Sequence, residues 1–234
     1  MYLLSGENIT CGYDKLNILN SCNIAVKKGE IASIVGPNGA GKSTAMKAIF
    51  GLLPLRKGKV ILDGEDITLL QPQERVLKGM GFVPQNNNIF PSLTVKENLE
   101  MGAFIINGSC NDFIDYIFGI FPALKDKQSQ LAGELSGGQR QQVAVGRAMM
   151  TQPKVLMLDE PSAGVSPIVM EELFSKIQEI ANQGTSVLMV EQNAKQALKI
   201  SNIGFVLNQG KNLFTNTGEI LLADKEVRHA FLGG

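Results

Sequence analysis

The chain has 234 residues, 44% of them hydrophobic, and its 22 Lys and Arg residues balance 22 Asp and Glu residues. This length can bury one substantial core, as one domain or as one domain with a subdomain. The zero net charge gives no bulk electrostatic reason to expect binding to nucleic acid or anionic lipid, so no nucleic-acid partner is expected. Cys11, Cys22 and Cys110 lack metal-ligand spacing and indicate reduced thiols in a cytosolic protein.

The hydropathy pattern does not predict a membrane-inserted segment. No apolar run approaches the roughly 18 residues that a bilayer-spanning helix needs. The first residues do not resemble a signal peptide. If the protein serves a membrane process, we expect it to do so peripherally.

Predicted strands and helices alternate through most of the chain, which favours an α/β fold with a mostly parallel sheet. Two short strands within 1–28 predict an antiparallel edge sheet. Residues 94–150 contain helical patterns and no convincing strand, which predicts a helical subdomain inserted into the α/β core. The other predicted elements are strands at 30–35, 59–62, 79–84, 154–158, 186–190, 203–208 and 211–214, and helices after 44, at 72–78, from 167 and from 193. Asp63-Gly64 predicts a hairpin turn, and residues 94–97 fit a capping box, with Thr94 first, that opens a helix.

A glycine-rich stretch between the first predicted core strand and the first helix fits the phosphate-loop pattern G-x-x-x-x-G-K-[ST]. Its glycines let consecutive backbone N–H groups turn toward one anion, and the positive end of the following helix faces the same point. A glycine-rich turn that merely opens a core helix is the alternative. The predicted nucleotide-binding residues are Gly36, Pro37, Asn38, Gly39, Ala40, Gly41, Lys42, which supplies a point charge, Ser43, a Mg²⁺ ligand, and Thr44.

Two adjacent carboxylates follow a strand of four apolar residues at 155–158. They are expected at the C-terminal edge of a parallel strand, where such sheets bind ligands. Asp159 is placed there to hold Mg²⁺, directly or through water. Glu160 is predicted to face the γ-phosphate, where a carboxylate can orient and polarise an attacking water. A surface Asp-Glu turn is the alternative.

A small hydroxyl residue and two glycines open a strongly helical run at 139–150. An N-cap at Ser136 explains one of these residues, but the glycine pair lowers helix stability unless a backbone must approach closely. We therefore predict a second anion-binding helix terminus formed by Ser136, Gly137, Gly138 and Gln139. One nucleotide does not need two cradles from one chain, so we expect each chain to offer this terminus to the ATP of a partner across a closed twofold interface.

The phosphate loop, Gln85, the Leu-Ser-Gly-Gly-Gln stretch ending at Gln139 and the Leu-Asp-Glu-Pro stretch ending at Pro161, in this order, resemble the ATP-binding cassette family over essentially the whole chain. Within it, the chain most resembles the short ATP-binding subunit of branched-chain amino-acid importers, whose close relatives import urea or amides. The stretches that carry this narrower resemblance are 90–99, 160–167, 190–194 and 227–234.

The resemblance implies a P-loop, RecA-like fold that forms a single ATP-binding domain over 1–234. Its core and β subdomain would span 1–85 and 151–234, and its helical subdomain about 86–150. Tyr13 would stack on adenine, although a core aromatic is the alternative. Gln85 would reach the Mg²⁺, although a polar strand-end residue is the alternative. The loop at 162–166 would cross the dimer interface.

One position departs from the family pattern. The family usually has a histidine after the strand at 186–191, where it contacts the γ-phosphate, and this chain has Gln192. Glutamine can donate a hydrogen bond to phosphate but cannot carry charge or shuttle a proton. We expect hydrolysis to persist, with Glu160 dominant and Gln192 as a neutral contact.

The resemblance implies an ATPase with ATP and Mg²⁺ that powers a transporter from the cytoplasmic face of the plasma membrane. Its expected partners are a second, identical or homologous, ATP-binding subunit, integral-membrane permease subunits and, indirectly, a periplasmic or extracellular solute-binding protein. A small-molecule kinase, a soluble cassette ATPase of DNA repair or translation, and a non-hydrolysing nucleotide-binding module are the alternatives.

Overall fold

The structure is a computed structural model that describes residues 1–105 and 109–232. Its larger sheet has six strands in the order β10-β9-β3-β8-β7-β6, of which the last five are parallel and β10 pairs antiparallel with β9. This arrangement confirms the predicted mostly parallel sheet. The strands are β3 (Ile31–Val35), β6 (Met80–Val83), β7 (Val155–Asp159), β8 (Ser186–Val190), β9 (Ile203–Asn208) and β10 (Lys211–Asn216).

A second sheet of four antiparallel strands contains the predicted N-terminal pair and extends it. Its order is β2-β1-β4-β5, and the turn at Asp63 and Gly64 joins its last two strands as a hairpin. Asp63 and Gly64 both have positive φ, which a tight hairpin turn requires. The strands are β1 (Tyr2–Cys11), β2 (Leu19–Lys27), β4 (Lys57–Leu62) and β5 (Glu65–Asp66).

The helices lie between the strands in the predicted order. Between β6 and β7 the described residues form helices and no named strand, with only an isolated bridge between Thr94 and Leu131. The predicted capping box that opens α3 is present, with Thr94 as its N-cap. The helices are α1 (Lys42–Phe50), α2 (Pro72–Leu77), α3 (Val95–Gly102), α4 (Asn111–Ile120), α5 (Pro122–Lys125), α6 (Gly137–Met149), α7 (Pro167–Asn182), α8 (Ala194–Lys199), α9 (Gly218–Ala223) and α10 (Lys225–Val227).

Two apolar clusters cover the two faces of the larger sheet. One joins sheet residues such as Val35 and Leu158 to Leu99, Ile117 and Val143 of the helical segment. The other joins the sheet to α1 and to the antiparallel sheet. Because the helices α3 to α6 share a cluster with the sheet, the division of the chain at about 86 and 150 stays a prediction.

A buried arginine fixes the C-terminal end of α1. The Arg75 side chain is 2% exposed, and its guanidinium donates to the carbonyl oxygens of Ile49, at 2.6 Å, Thr68 and Leu70. Gly51 lies against it, since a Cβ there would come within 2.7 Å of Nε. A positive charge at this end complements the helix dipole. The C-terminal end of the helix that follows the phosphate loop is therefore held in place.

In the described residues, no helix combines the length and the apolar character that crossing a membrane requires.

Candidate functional site

The loop between β3 and α1 wraps back on the strand with backbone angles that favour glycine. Gly36, Gly39 and Gly41 have φ values of 145°, 80° and 100°. A Cβ at Gly36 would meet the Leu207 carbonyl oxygen, and one at Gly41 would lie 2.7 Å from Leu19 Cδ2. The loop therefore needs glycine for both conformation and space, as an anion cradle at a helix N-terminus does.

The Lys42 side chain is held over this loop. It is 5% exposed, and its ammonium donates to the carbonyl oxygens of Gly36, at 2.9 Å, and Pro37, at 3.1 Å. Burial lowers its pKa, while the nearby Glu160 and Asp159 carboxylates act in the opposite direction. An ammonium has three donors, so one stays available to a phosphate oxygen at the cradle.

Ser43 and Asp159 bring oxygen ligands together from two elements. Ser43 Oγ, at the start of α1, donates to Asp159 Oδ1, at the end of β7, across 3.0 Å. Burial raises the Asp159 pKa, and the Ser43 hydrogen bond, Lys47 and Lys42 oppose that shift. A hydroxyl and a carboxylate side by side are hard oxygen donors of the kind Mg²⁺ prefers. The pair therefore fits the predicted metal site.

Glu160 turns away from Asp159 and toward the segment that follows β6. Its φ of +50° lies in the left-handed region, which is uncommon for a residue with a side chain. Glu160 Oε2 accepts a hydrogen bond from Gln85 Nε2 at 2.7 Å. In this structure the Gln85 amide is thus bound to Glu160, and its contact with Mg²⁺, which the family resemblance implies, stays a prediction.

One open cleft of about 420 Å³ is lined by most of the predicted phosphate-loop residues. Tyr13 lies at its wall and is 46% exposed, so its ring is accessible to a ligand and is not in the core. Ile18 also lines the cleft and was not predicted. Pro37 is exposed and Ala40 is buried, and neither lines this cleft. The lining residues are Tyr13, Ile18, Asn38, Gly39, Gly41, Lys42, Ser43, Thr44 and Glu160.

The predicted second terminus opens α6 but does not line this cleft. Ser136 and Gln139 form a reciprocal capping box, with the Gln139 N–H donating to Ser136 Oγ at 3.3 Å. A Cβ at Gly138 would meet Val169 of α7, so packing within the chain demands that glycine. At Gly137 a Cβ would have no neighbour closer than 3.8 Å and φ is not positive, so nothing in the described fold requires glycine there.

Gln192 lies beyond the end of β8 and is exposed. It lines a smaller cavity of about 220 Å³ together with Gly36, Pro37 and Asn38 of the phosphate loop. It does not line the 420 Å³ cleft, but it lines a neighbouring cavity of about 470 Å³ together with Glu160. The single histidine, His229, is exposed in the C-terminal turn.

Glu191 is a site residue that was not predicted as one. Its side chain is 1% exposed, and its two carboxylate oxygens accept from the Ser162 backbone N–H, at 3.0 Å, and from Ser162 Oγ, at 2.8 Å. Burial raises its pKa to about 7, against the two Ser162 hydrogen bonds. An acidic residue directly after four apolar residues of a strand was the available signal, as it was for Asp159.

Buried amides tie the segment after Gln85 to the helices. Asn98 of α3 is fully buried, accepts from the Phe90 N–H at 2.8 Å and donates to the carbonyl oxygens of Phe90 and Thr94. Asn88 donates to Gln141 of α6 at 3.0 Å. The segment that contacts Glu160 through Gln85 is therefore also bonded to the helix that Ser136 opens.

A phosphate loop after a buried parallel strand, with Ser43 and Asp159 in contact and Glu160 facing the same cleft, defines a P-loop nucleotide-hydrolysing protein. The family model described as ABC transporter matches residues 19–163, which is more than half of the chain. The chain belongs to the ABC transporter family, and it is an ATPase of that family.

Several curated relatives match from end to end. The high-affinity branched-chain amino acid transport ATP-binding protein BraG of Pseudomonas aeruginosa is 39% identical, over 99% of this chain and 100% of its own length. The probable branched-chain amino acid transport ATP-binding protein LivF of Archaeoglobus fulgidus is 38% identical, over 99% of each chain. The lipopolysaccharide export system ATP-binding protein LptB of Haemophilus influenzae is 33% identical, over 100% of this chain and 98% of its own.

Solved structures share the fold. The ADP conformation of MJ1267, an ATP-binding cassette of an ABC transporter, superposes with a TM-score of 0.88 and 30% identity, covering 100% of both chains. The ATP-binding cassette MJ0796, solved as a dimer bound to ADP and phosphate after hydrolysis, has a TM-score of 0.80 and 25% identity, covering 92% of this chain and 98% of its own. The predicted fold class is confirmed.

The raised pKa of Glu191 predicts a pH-dependent stability that Glu191→Gln should remove. An acid whose pKa rises from 4.5 to about 7 on folding stabilises the fold when protonated, and this contribution is lost between those two pH values. From pH 5.5 to 8.5 the free energy of unfolding of the parent chain should fall relative to that of the variant by about 2 kcal/mol. Urea denaturation of both proteins at the two pH values measures this difference. If the two proteins differ in free energy of unfolding by the same amount at both pH values, the raised pKa of Glu191 is contradicted.

Proposed function

We propose that the chain is the ATP-binding and ATP-hydrolysing subunit of an importer of branched-chain amino acids, working with Mg²⁺ at the cytoplasmic face of the plasma membrane. One observation supports hydrolysis: Lys42, Ser43 and Glu160 line one cleft, and Ser43 is hydrogen-bonded to Asp159. The import class is supported by BraG and LivF, at 39% and 38% identity over full length.

Hydrolysis is assigned to the chain's own groups as follows. The backbone N–H groups of the phosphate loop and the Lys42 ammonium bind the phosphates and stabilise the charge that develops on them. Ser43 and Asp159 would hold Mg²⁺, which supplies further charge neutralisation when bound. Glu160 accepts a hydrogen bond from Gln85, so its carboxylate is oriented in the cleft to position and polarise the attacking water. No covalent enzyme intermediate is needed.

The second terminus suits a nucleotide held by another chain. Packing does not require glycine at Gly137, where a Cβ would lie 3.8 Å from its nearest neighbour, and Ser136 and Gln139 cap α6 without lining this chain's own cleft. A helix of 13 residues that begins with a hydroxyl and a glycine that the chain's own packing does not require can receive an anion from outside the chain. The proposed active form is therefore a twofold dimer with an identical or homologous subunit, in which each ATP is shared.

The proposed permease contact surrounds Phe90, between the site and the helical segment. The Phe90 ring is 43% exposed and lies under the Arg147 guanidinium, with Cζ 4.9 Å from the ring centroid. In the described residues Arg147 has no ion-pair partner, and Met101 adds exposed apolar surface on the nearby helix α3. A permease segment with an apolar side chain and a carboxylate fits this surface.

A lipopolysaccharide export subunit is the second candidate, because LptB of Haemophilus influenzae is 33% identical over the full chain. Importers of urea or amides remain further alternatives, as does a soluble cassette ATPase outside transport. The transported molecule is selected by permease and solute-binding partners. Mass spectrometry of the complex recovered from native membranes therefore discriminates these candidates.

Glu160→Gln should bind ATP with parent-like affinity and lose nearly all turnover, because the amide keeps the shape but cannot act as a base. Steady-state release of phosphate with no acceptor present, together with binding of a fluorescent ATP analogue, measures both quantities. Lys42→Ala, which should lose binding, is the control for phosphate contact. Substantial hydrolysis by the Glu160→Gln protein would refute the assignment.

Gln192→Ala should lower ATP turnover by about threefold to tenfold, as expected for loss of one neutral hydrogen bond to phosphate. The same phosphate-release assay measures it. Full activity of the Gln192→Ala protein would remove Gln192 from the mechanism and leave Glu160 as the dominant group. Gln73→Ala, an exposed glutamine on α2 that lines neither the cleft nor the phosphate-loop cavity, is the matched control.

Phe90→Ala should abolish recovery of permease subunits with the tagged chain, because it removes the ring beneath Arg147. ATP turnover of the isolated chain should stay within about twofold, since Phe90 does not line the cleft. Leu213→Ala, on β10, removes a similarly exposed apolar side chain elsewhere and is the control. Unchanged permease recovery with the Phe90→Ala chain would place the contact on another surface.

A further inference from the structure

The residues 162–166, here called the interface loop, join Glu160 at the end of β7 to the start of α7 at Pro167. Three of these five residues are exposed. The loop borders a cavity of about 470 Å³ whose other walls include Met170, Glu191 and Gln192. Core packing beneath the loop is therefore incomplete, and specific polar contacts must contribute to its position.

Glu191 supplies those contacts. Its carboxylate accepts both the backbone N–H and the hydroxyl of Ser162, at 3.0 and 2.8 Å. Among the described residues, Glu191 is the only residue outside the interface loop whose side chain forms a hydrogen bond with the loop. A bidentate bond to one residue fixes both the backbone and the side chain at that point, two residues beyond Glu160.

The far end of the interface loop reaches the start of α6. A Cβ built at Gly137 would lie 3.8 Å from the Gly164 carbonyl oxygen and 4.0 Å from Val165 Cγ1. One short loop thus connects the carboxylate of this chain's own cleft to the terminus offered to a partner's nucleotide. The conformation of the interface loop therefore affects both the Glu160 carboxylate and the start of α6.

We propose that Glu191 is a positioning residue that holds the interface loop in the conformation required for ATP turnover in the assembled dimer. This inference rests on the proposed function, because the loop has a catalytic role only where two cassettes share their nucleotides. Glu191 acts through Ser162 and does not itself touch the nucleotide cleft. Glu191 lies between Val190 and Gln192. The chain at the end of β8 thus bonds the interface loop through Glu191 and borders the phosphate loop through Gln192.

A buried carboxylate is a costly way to hold a loop, and this cost supports a functional role. Glu191 is 1% exposed and has no cationic partner among the six ion pairs of the described residues. The Glu160 carboxylate, which has the same sign, adds to the effect of burial and raises the pKa of Glu191 further. Groups held at such a cost concentrate at functional sites.

The test uses the transporter complex recovered with the tagged chain from native membranes. Glu191→Ala, which removes both hydrogen bonds, should lower kcat for ATP hydrolysis about tenfold and leave KM within about twofold. Glu191→Gln should restore kcat to within about threefold of the parent, because its amide can accept from the Ser162 N–H and donate to Ser162 Oγ. ATP binding to the isolated chain should be unchanged in both variants.

Ser162→Ala is the second variant, since loss of a buried carboxylate can itself unfold a domain. It removes the hydroxyl bond and keeps the backbone bond, so kcat should fall about threefold with KM unchanged. Glu219→Gln, an exposed carboxylate on α9, controls for the loss of one negative charge. Thermal unfolding of each variant shows whether the fold is intact.

Parent-like kcat in both Glu191→Ala and Ser162→Ala overturns the inference. So does a Glu191→Gln complex as slow as the Glu191→Ala complex, because charge and not loop position would then be responsible. A raised KM or weakened ATP binding in folded Glu191→Ala protein also overturns it. If the parent complex itself hydrolyses no ATP, the proposed function fails instead.

Discussion

The parallel pairing of β6, β7, β8, β3 and β9 is the constraint on which the site depends. Because parallel strands all point the same way, their carboxyl ends meet at one edge of the sheet. Pairing of the strands alone brings residues that are far apart in sequence, such as Lys42, Asp159 and Glu191, to that edge. The strands themselves are buried on both faces, so the apolar clusters fix their order and the polar residues are free to serve the site.

The helical segment is coupled to that edge by amides and not by charges. Asn98, fully buried, bonds the backbone of Phe90 on both its N–H and its carbonyl oxygen, and Asn88 bonds Gln141 of α6. Gln85, at the head of the same segment, bonds Glu160. A satisfied network of this kind rigidifies the segment. If Gln85 moves at the site, the segment that follows it and α6 would therefore move together.

Sequence patterns predicted what depends on local chemistry. The capping box at Thr94, the hairpin at Asp63 and the apolar strands each carry a residue pattern of their own, and the structure confirms them. Partnerships between distant residues had no such pattern. The Gln85–Glu160 bond and the Ser162–Glu191 bonds depend on how β6, β7 and β8 align, which residue type alone does not determine.

Two glycines that look alike in sequence also separate only in the structure. A Cβ at Gly138 would clash with Val169, whereas a Cβ at Gly137 would lie 3.8 Å or more from its neighbours, at ordinary contact distance. A pattern of two glycines cannot distinguish a contact within the chain from one that another molecule completes. Ile18 was missed for a similar reason, because an apolar residue in a loop gives no sign that it lines a cleft.

The left-handed backbone of Glu160 sets stability against activity at one position. A residue with a Cβ pays of order 1 kcal/mol or more for this conformation, and glycine or asparagine would adopt it more readily. The same turn directs Glu160 toward Gln85 while Asp159 stays on Ser43. Selection for a more stable fold and selection for faster ATP turnover therefore favour different amino acids at this position. The presence of a carboxylate indicates that turnover has been favoured over stability.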